Sequence, residues 1–277
     1  MEKYLKGNLL KNVVTRIDYN EQYVIEDETQ RSISKACKKH GLVYEKVRNL
    51  RAEEDFSLND PVSLRSIPTE YIEKSFCHCY INEDVSFVIE VNNFFFRAIQ
   101  LVKKDEYTNY KDSHLKLIMD IFNLLAIETT DIKRISVKKV DETFFSSLEK
   151  MNEVIKPEII QDKIFGDEQE WSTPNAGSTV IQNFMYSGQK VNFMRKIDRV
   201  QLRNIENDKL VSVLAYRLYL DYEVYSRNYV EEKSCEENLL DIDSITKSLF
   251  LQTFNVAGES RIKKGEEIGD VKYNGEL

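Results

Sequence analysis

The chain has 277 residues, of which 42% are hydrophobic and 11% aromatic, so it is long and apolar enough to bury a sizeable core. Acidic residues outnumber basic ones by 47 to 39, and the formal charge of -8 disfavours non-specific adhesion to nucleic acid or to an anionic membrane. The four cysteines lack the spacing of a disulfide framework, and the first residues do not resemble a signal peptide, so we predict a reduced, cytoplasmic protein. We also predict no membrane span, because no apolar run approaches the length of about 20 residues that a span needs.

The first half of the chain is predicted to form a β-meander with helices. Alternating apolar residues indicate strands at 9–19, 42–47, 71–81, 85–91, 94–102 and 131–141. Asn92-Asn93 predicts a two-residue hairpin turn because asparagine tolerates positive φ. Apolar residues at every third or fourth position indicate helices at 107–128 and 142–155, and a shorter helix that Asp27 or Thr29 caps and Gly41 ends. The charged stretch 48–67 is predicted to be a surface loop.

The second half of the chain is predicted to repeat this plan. A segment rich in proline, glycine and acidic residues, with the only tryptophan, Trp171, connects the halves. Strands follow at 178–186, 189–203 and 209–225, the first two joined by a turn at Ser187-Gly188. Residues 228–238 are predicted to be an acidic loop, and Asp243 to cap a helix that ends near Phe254.

These elements predict an α+β fold of two similar units, each an antiparallel β-meander plus a helix, packed as one compact protein. The predicted N-terminal half covers residues 1–155, the connecting segment 156–177, and the C-terminal half 178–257. Residues 258–277 are polar and contain glycine, so they are predicted to be a flexible tail. Each sheet needs helices on one face, which leaves the other for solvent or a partner.

Four stretches of the chain are similar to a sporadically distributed prokaryotic family of uncharacterised proteins. The similar stretches are the opening strand Leu10–Tyr19, the helix start Tyr107–Tyr110, the strand Arg134–Asp141, and Leu240–Asp243 with the following helix that ends at Phe250 or Phe254. The resemblance spans about residues 9 to 255. It implies an association with defence or mobile-element genes, because the family has a patchy distribution, and it carries over no catalytic residues to this chain.

The Cys77-His78-Cys79 sequence is the first place to test for a metal site. On a strand, Cys77 and Cys79 share a face and His78 points away, so the three side chains do not converge on one ion. The sequence contains no nucleophile elbow, zinc-protease, phosphate-loop, dinucleotide-binding or EF-hand motif, and only nine glycines. We therefore expect no catalytic residue, no metal site and no cofactor.

Acidic residues of the second half keep one enzyme hypothesis open. Converging carboxylates bind Mg²⁺ in metal-dependent phosphodiesterases and nucleases. The candidates are Asp198, Asp221, Asp241 and Asp243, with Asp18 and Glu90 as further members. Nothing in their spacing forces them together, so we expect most of them to face solvent or to cap a helix.

A basic ridge and exposed tyrosines are the strongest binding signals. Residues spaced by four on a strand share a face, and one such row consists of arginines. Arginine grips phosphate or carboxylate in a bidentate manner, and tyrosine is enriched at protein interfaces. The ordinary alternatives are a solvated, salt-bridged sheet face and cross-strand packing. The candidate binding residues are Arg195, Arg199, Arg203, Tyr219, Tyr225, Lys133 and Lys139.

These signals favour a non-catalytic binding or assembly protein, with another protein as its partner and the exposed sheet faces as its binding surface. Two alternatives stay open: a metal-dependent phosphodiesterase or nuclease, and nucleic-acid or nucleotide binding through the basic sheet face. The sequence does not predict the oligomeric state.

Overall fold

The structure is a computed structural model that describes residues 9–20, 23–49, 76–102, 109–160, 177–206, 209–226 and 233–271. Its strands are β1 (Leu10–Tyr19), β2 (Val43–Asn49), β3 (Phe76–Ile81), β4 (Phe87–Val91), β5 (Phe95–Leu101), β6 (Ile132–Phe145), β7 (Gly177–Tyr186), β8 (Gln189–Glu206) and β9 (Lys209–Ser226). Its α-helices are α1 (Asp27–Lys39), α2 (Lys116–Phe122), α3 (Leu148–Asn152), α4 (Cys235–Leu251) and α5 (Val256–Lys264). Shorter helical turns are a π-helical turn (Lys111–Leu115) before α2 and 3-10 turns (Asn123–Leu125, Thr129–Asp131, Pro157–Ile159).

Three predicted features lie wholly or largely outside the described residues. They are most of the loop at 48–67, the start of the long helix at Tyr107, and most of the connecting segment around Trp171.

The nine strands form one antiparallel sheet in the order β2-β3-β4-β5-β1-β6-β9-β8-β7, which together with the helices confirms the predicted α+β class. Strands β7 to β9 of the second half join the sheet of the first half because β9 pairs with β6. The two predicted meanders therefore share one sheet instead of forming one sheet each.

Strand β6 makes this junction possible because it is longer than predicted. It pairs with β1 on one side and β9 on the other, and it continues to Phe145, which lies opposite Tyr216 of β9. The helix predicted at 142–155 is wrong in its first part, since residues 142–145 belong to β6 and pair with residues 216–219 of β9. Helix α3 begins only after Ser147, whose side chain accepts a hydrogen bond from the Lys150 amide.

The five described helices pack on one side of the sheet, here called the helix face. In β1 the predicted pattern is confirmed, because Val13, Thr15, Ile17 and Tyr19 are all buried on that side. Apolar residues of α1, α2 and α4 complete the core there, and α3 and α5 complete a second cluster over β8 and β9. The other side, here called the open face, carries no described helix; a segment reaching Val271 covers one end of it.

Two hairpin turns form by different means. In the β7–β8 turn, Ser187 and Gly188 have φ of 50° and 78°, which is the left-handed pair that a tight two-residue hairpin needs. At the predicted Asn92-Asn93 turn, neither asparagine has positive φ. Instead the Asn92 side chain accepts hydrogen bonds from the amides of Phe94 and Phe95, so the residue acts through its side chain.

Helix α4 begins earlier than predicted. Ser234 and Glu237 form a reciprocal capping box, so part of the predicted acidic loop is helical. Asp243 lies inside α4 and does not cap it; it forms an ion pair with Lys139 of β6.

The predicted flexible tail is wrong as far as the structure describes it. Asn255 caps α5, Ile262 and Ile268 are buried, and Gly265 ends the helix with φ of 71°. These apolar residues anchor the segment because they pack in the cluster that covers β8 and β9. Among the described residues, no helix combines the length and apolar content that crossing a membrane would require.

Candidate functional site

The predicted arginine ridge lies on the helix face. Arg195, Arg199 and Arg203 share this face as predicted, because their partners across the ladder are Leu220, Tyr216 and a serine of β9. Arg199 is only 1% exposed and its guanidinium lies 5.6 Å from the Tyr216 ring centroid. Arg195 is half-buried and burial lowers its pKa, whereas Arg203 is exposed. The three arginines therefore do not form a continuous exposed ridge.

The two predicted lysines differ in position and exposure: Lys139 lies on the helix face opposite Val13, whereas Lys133 lies at a register shift of the β1–β6 ladder. Lys133 is exposed near the start of β6, and Lys139 is 8% exposed. The Lys139 ammonium forms an ion pair with Asp243 and lies 5.8 Å from the Tyr110 ring centroid. Strand β9 separates these lysines from the arginines of β8, so the structure does not join the two basic groups into one patch.

The candidate catalytic carboxylates do not converge. Asp198 and Asp221 are on the open face, but Asp221 pairs with Met194, four residues from Asp198, which places them about 13 Å apart along the strand. Asp241 and Asp243 belong to α4 and form ion pairs with lysines. Within the described ranges, no group of three or more histidine, cysteine or acidic side chains is arranged to hold a metal ion.

Asp18 and Glu90, the further acidic candidates, belong to a set of ion pairs on the open face. These pairs join Arg16 to Asp18, Arg97 to Glu90, Arg134 to Glu223, Lys138 to Asp221, Lys196 to Asp198, and Arg217 to both Asp198 and Glu142. Arginines also lie over aromatic rings: Arg134 is 4.3 Å from the Tyr225 centroid and Arg16 is 4.6 Å from the Phe95 centroid. Because each of these cations contacts a carboxylate, the face offers little net positive charge to a phosphate.

The Cys77-His78-Cys79 segment has the geometry that the sequence predicts. The two thiols are buried on the open face; the hydrogen bond between them and burial raise the pKa of Cys77. The His78 ring is on the helix face, where Nδ1 lies 3.0 Å from Nε2 of Gln30. The three side chains thus do not share a side of the sheet.

Two exposed apolar side chains of the open face lie at its β7 edge. Ile181 is 65% exposed and Met185 is 60% exposed, although both belong to a regular strand. In the ladder Ile181 lies opposite Met194, and Met185 lies opposite Lys190. We call the surface formed by Ile181, Asn183, Met185, Lys190, Met194 and Lys196 the β7 patch.

The predicted tyrosines border this patch. Tyr219 of β9 lies opposite Lys196, and Tyr225 lies opposite Lys190, both on the open face. Tyr225 is only 8% exposed, so the prediction of an exposed tyrosine is wrong at this position. Burial and then Asp221 raise the pKa of Tyr219 to about 12, so its hydroxyl stays neutral at pH 7. Of the predicted binding residues, the structure therefore brings only the two tyrosines next to an exposed apolar surface.

Among the described strands, β7 is an edge strand, and its composition is unusual. Its ten residues, GSTVIQNFMY, include no charged residue, and its ladder with β8 has no bulge. Natural edge strands are usually protected by charges, proline or bulges, because the outer N–H and C=O groups otherwise template another strand. The lack of charged residues in this strand is visible in the sequence, but only the order of the strands in the sheet identifies β7 as an edge.

A second feature is a buried polar network beneath the helices. His114, in the π-helical turn, lies with Nε2 3.1 Å from the Thr15 hydroxyl and Nδ1 3.0 Å from Oε1 of Gln100. The Thr15 hydroxyl is also 2.8 Å from the Tyr110 hydroxyl. Burial, and then the charge of Lys139, lower the pKa of His114 to about 3. The imidazole is therefore neutral at physiological pH and serves as a fixed hydrogen-bonding group.

Asp141 is a buried acid on the same face of the sheet. Its Oδ2 accepts a hydrogen bond of 2.5 Å from the Tyr222 hydroxyl. Burial raises the pKa of Asp141 to about 6, because it outweighs the opposing effects of Tyr222 and Lys139. Both titrating groups are fully buried, so we assign them to the stability of the fold.

Comparison with known proteins adds no family assignment. No protein-family model matches the chain, and no curated protein matches it in sequence.

Proposed function

We propose that this protein is a non-catalytic binding or assembly protein that docks another protein on its β7 patch. The observation that carries the proposal is the unprotected edge strand β7, which exposes Ile181 and Met185 on a face without described helices. A partner strand added to this edge gains main-chain hydrogen bonds, and pockets beside the strand supply specificity. The protein is proposed to act in the cytoplasm.

The side chains around β7 fit a protein partner. Methionines at positions 185 and 194 adapt their shape to an apolar surface, and Tyr219 and Tyr225 border them with rigid, amphipathic rings. Lys190 and Lys196 supply a polar rim. This combination of an apolar centre and a polar rim is typical of specific protein interfaces.

Nucleic-acid binding is the weaker alternative because its predicted residues are not available as a positive surface. Arg199 is buried, and arginines of the open face contact carboxylates. A nuclease is weaker still, because the candidate carboxylates Asp198 and Asp221 are separated along the sheet and each contacts a cation. A role in a prokaryotic defence or mobile-element system is proposed from the family resemblance alone.

The test is a quantitative binding experiment with matched variants. Proteins encoded next to this gene are co-expressed with the chain, and the affinity of any complex is measured for the wild type and for I181K/M185K. Interface anchors contribute about 2 kcal/mol or more, so the double variant should weaken binding by about 30-fold or more. The control is V43K, since Val43 is also 65% exposed but belongs to β2, the opposite edge strand.

The V43K protein should bind within about threefold of the wild type, since substitutions outside an interface have small effects. Loss of affinity in V43K equal to that in I181K/M185K would refute the assignment of the β7 patch. Absence of any protein partner, combined with salt-sensitive binding of oligonucleotides, would favour the nucleic-acid alternative. Metal-dependent hydrolysis of a phosphodiester would refute the non-catalytic role.

A further inference from the structure

Hydrogen-bonding groups of β7 point outward at alternate residues. Tyr186 and Gln189 flank the two-residue turn and are therefore a hydrogen-bonded pair, and every second pair before them in the ladder is hydrogen-bonded too. The intervening residues direct their N–H and C=O groups away from β8. They are Gly177, Thr179, Ile181, Asn183 and Met185.

We propose that two copies of this chain join their β7 strands antiparallel across a twofold axis at Ile181, which merges two nine-stranded sheets into one. This inference rests on the proposed role of the β7 edge in protein binding and names a second copy as the occupant. The edge fits itself because it has no charged residue. Antiparallel self-pairing therefore brings no like charges together between the two β7 strands.

The register with its axis at Ile181 uses every outward-pointing residue. Ile181 faces itself at the axis, Thr179 faces Asn183 of the second copy, and Gly177 faces Met185 of the second copy. The centre is thus apolar, polar groups lie on both sides of it, and the long methionine lies over a residue without a side chain. An axis at Asn183 pairs only three of the five outward residues, since Thr179 then lies opposite the turn.

Gly177 supports this arrangement by its own packing. A Cβ at Gly177 would lie 2.5 Å from Cβ of Asp198, so the position admits no larger residue within the β7–β8 ladder. The absence of a side chain there also leaves room for Met185 of the second copy. The same glycine therefore allows close packing inside one copy and fits the pairing between copies.

The first test measures mass against concentration by light scattering and sedimentation equilibrium. The wild type should approach twice 32.6 kDa as its concentration rises. The matched variants are N183P and N183A: both remove the amide side chain, but only proline removes the outward N–H. Because that N–H is not used in the β7–β8 ladder, N183P should keep the fold, which circular dichroism checks.

The dissociation constant of the N183P dimer should be at least about tenfold higher than that of the wild type. The dissociation constant of the N183A dimer should stay within about threefold of the wild type. If N183P fails to fold, I181K supplies the second variant, because it places two lysines against each other at the axis. A dimer that survives both changes would overturn the proposal. A wild type that stays monomeric at its highest soluble concentration would also overturn it.

The second test reads the register by disulfide cross-linking. The four native cysteines are buried, so introduced thiols react selectively. I181C should cross-link with itself, because the Cα atoms of a hydrogen-bonded pair lie about 5.5 Å apart. T179C and N183C should each stay uncross-linked alone and form a covalent dimer when mixed. Cross-linking of N183C with itself would overturn the register.

These experiments separate this inference from the proposed function. A monomeric wild type that still binds a neighbouring gene product through Ile181 and Met185 overturns self-pairing and leaves the proposed function intact. A dimer with the stated register and no other protein partner supports self-pairing and refutes docking of a different protein.

Discussion

Replacing the buried His114 with glutamine should change how stability depends on pH. The pKa of His114 is about 3 in the folded protein, against 6.5 for an ordinary histidine, because the ring is fully buried. Between these values the unfolded chain binds one more proton than the folded one. The free energy of unfolding therefore falls as the pH falls, by about 1.4 kcal/mol per pH unit.

The size of the expected stability change depends on how much of the interval between the two pKa values an unfolding experiment can cover. From about pH 7 to pH 4, the wild type should lose about 3 kcal/mol relative to H114Q, because glutamine does not titrate. The loss is absent above the unfolded pKa of 6.5. Glutamine changes hydrogen bonds to Thr15 and Gln100 at every pH, and that contribution cancels when only the pH-dependent difference is used.

The assay is urea unfolding of both proteins at several pH values, followed by circular dichroism and tryptophan fluorescence. Two probes are needed because the linkage relation assumes a two-state transition. The quantity of interest is the wild-type free energy of unfolding minus that of H114Q. A difference that stays constant within about 0.5 kcal/mol across the range would refute the assignment of a neutral, proton-excluding His114.

Asp141 should have the opposite effect on the pH dependence of stability. Its pKa is raised from 3.8 to about 6, so between these values the folded protein binds more protons than the unfolded chain and gains stability as the pH falls. In D141N this gain is absent, and the wild type should gain about 2 kcal/mol relative to the variant between about pH 6 and pH 4. The two buried groups therefore largely offset each other in the wild type over this interval.

Two further predictions concern the β7–β9 end of the sheet. G188A should destabilise the fold by about 1 kcal/mol, because φ at this turn residue is 78°, and a urea midpoint equal to the wild type would contradict this. R217A should cost about 1–2 kcal/mol at pH 7, since two buried carboxylates, Asp198 and Glu142, lose their shared guanidinium. Burial alone would raise the pKa of Asp198, but hydrogen bonds from Arg217 and Lys196 outweigh it and lower the pKa, so the R217A loss should shrink as the pH falls through that pKa. An R217A loss that does not depend on pH would contradict the ion-pair assignment.

Local patterns in the sequence predicted the local structure well. The alternation in β1 identified its buried side, and Ser187-Gly188 identified the two-residue turn between β7 and β8, because both depend on residues close together in the chain. The start of α4 was missed although Ser234 and Glu237 have the spacing of a capping box. The acidic composition of the segment had suggested a loop, and local hydrogen bonding decided otherwise.

For β8 and β9, the face that the helices cover could not be predicted. Spacing correctly placed Arg195 and Arg199 on one face of β8, and Tyr219 and Tyr225 on one face of β9. The choice of the covered face depends on pairings between distant segments, above all β6 with β9 and β1 with both β5 and β6. Arg199 is buried and Ile181 is exposed because of the order of the strands in the sheet. The alternation of residues within a single strand does not determine this order.

The two proposed uses of the β7 edge exclude each other, because both need the same outward N–H and C=O groups. A second copy would protect this edge from indiscriminate pairing, which is the risk that an uncharged edge strand carries. A different protein would then have to displace that copy, so its binding would be coupled to dissociation of the dimer. Each copy carries a formal charge of -8, so two copies repel each other, and salt weakens this repulsion. A basic partner is attracted to the same charge and therefore has an electrostatic advantage over a second copy.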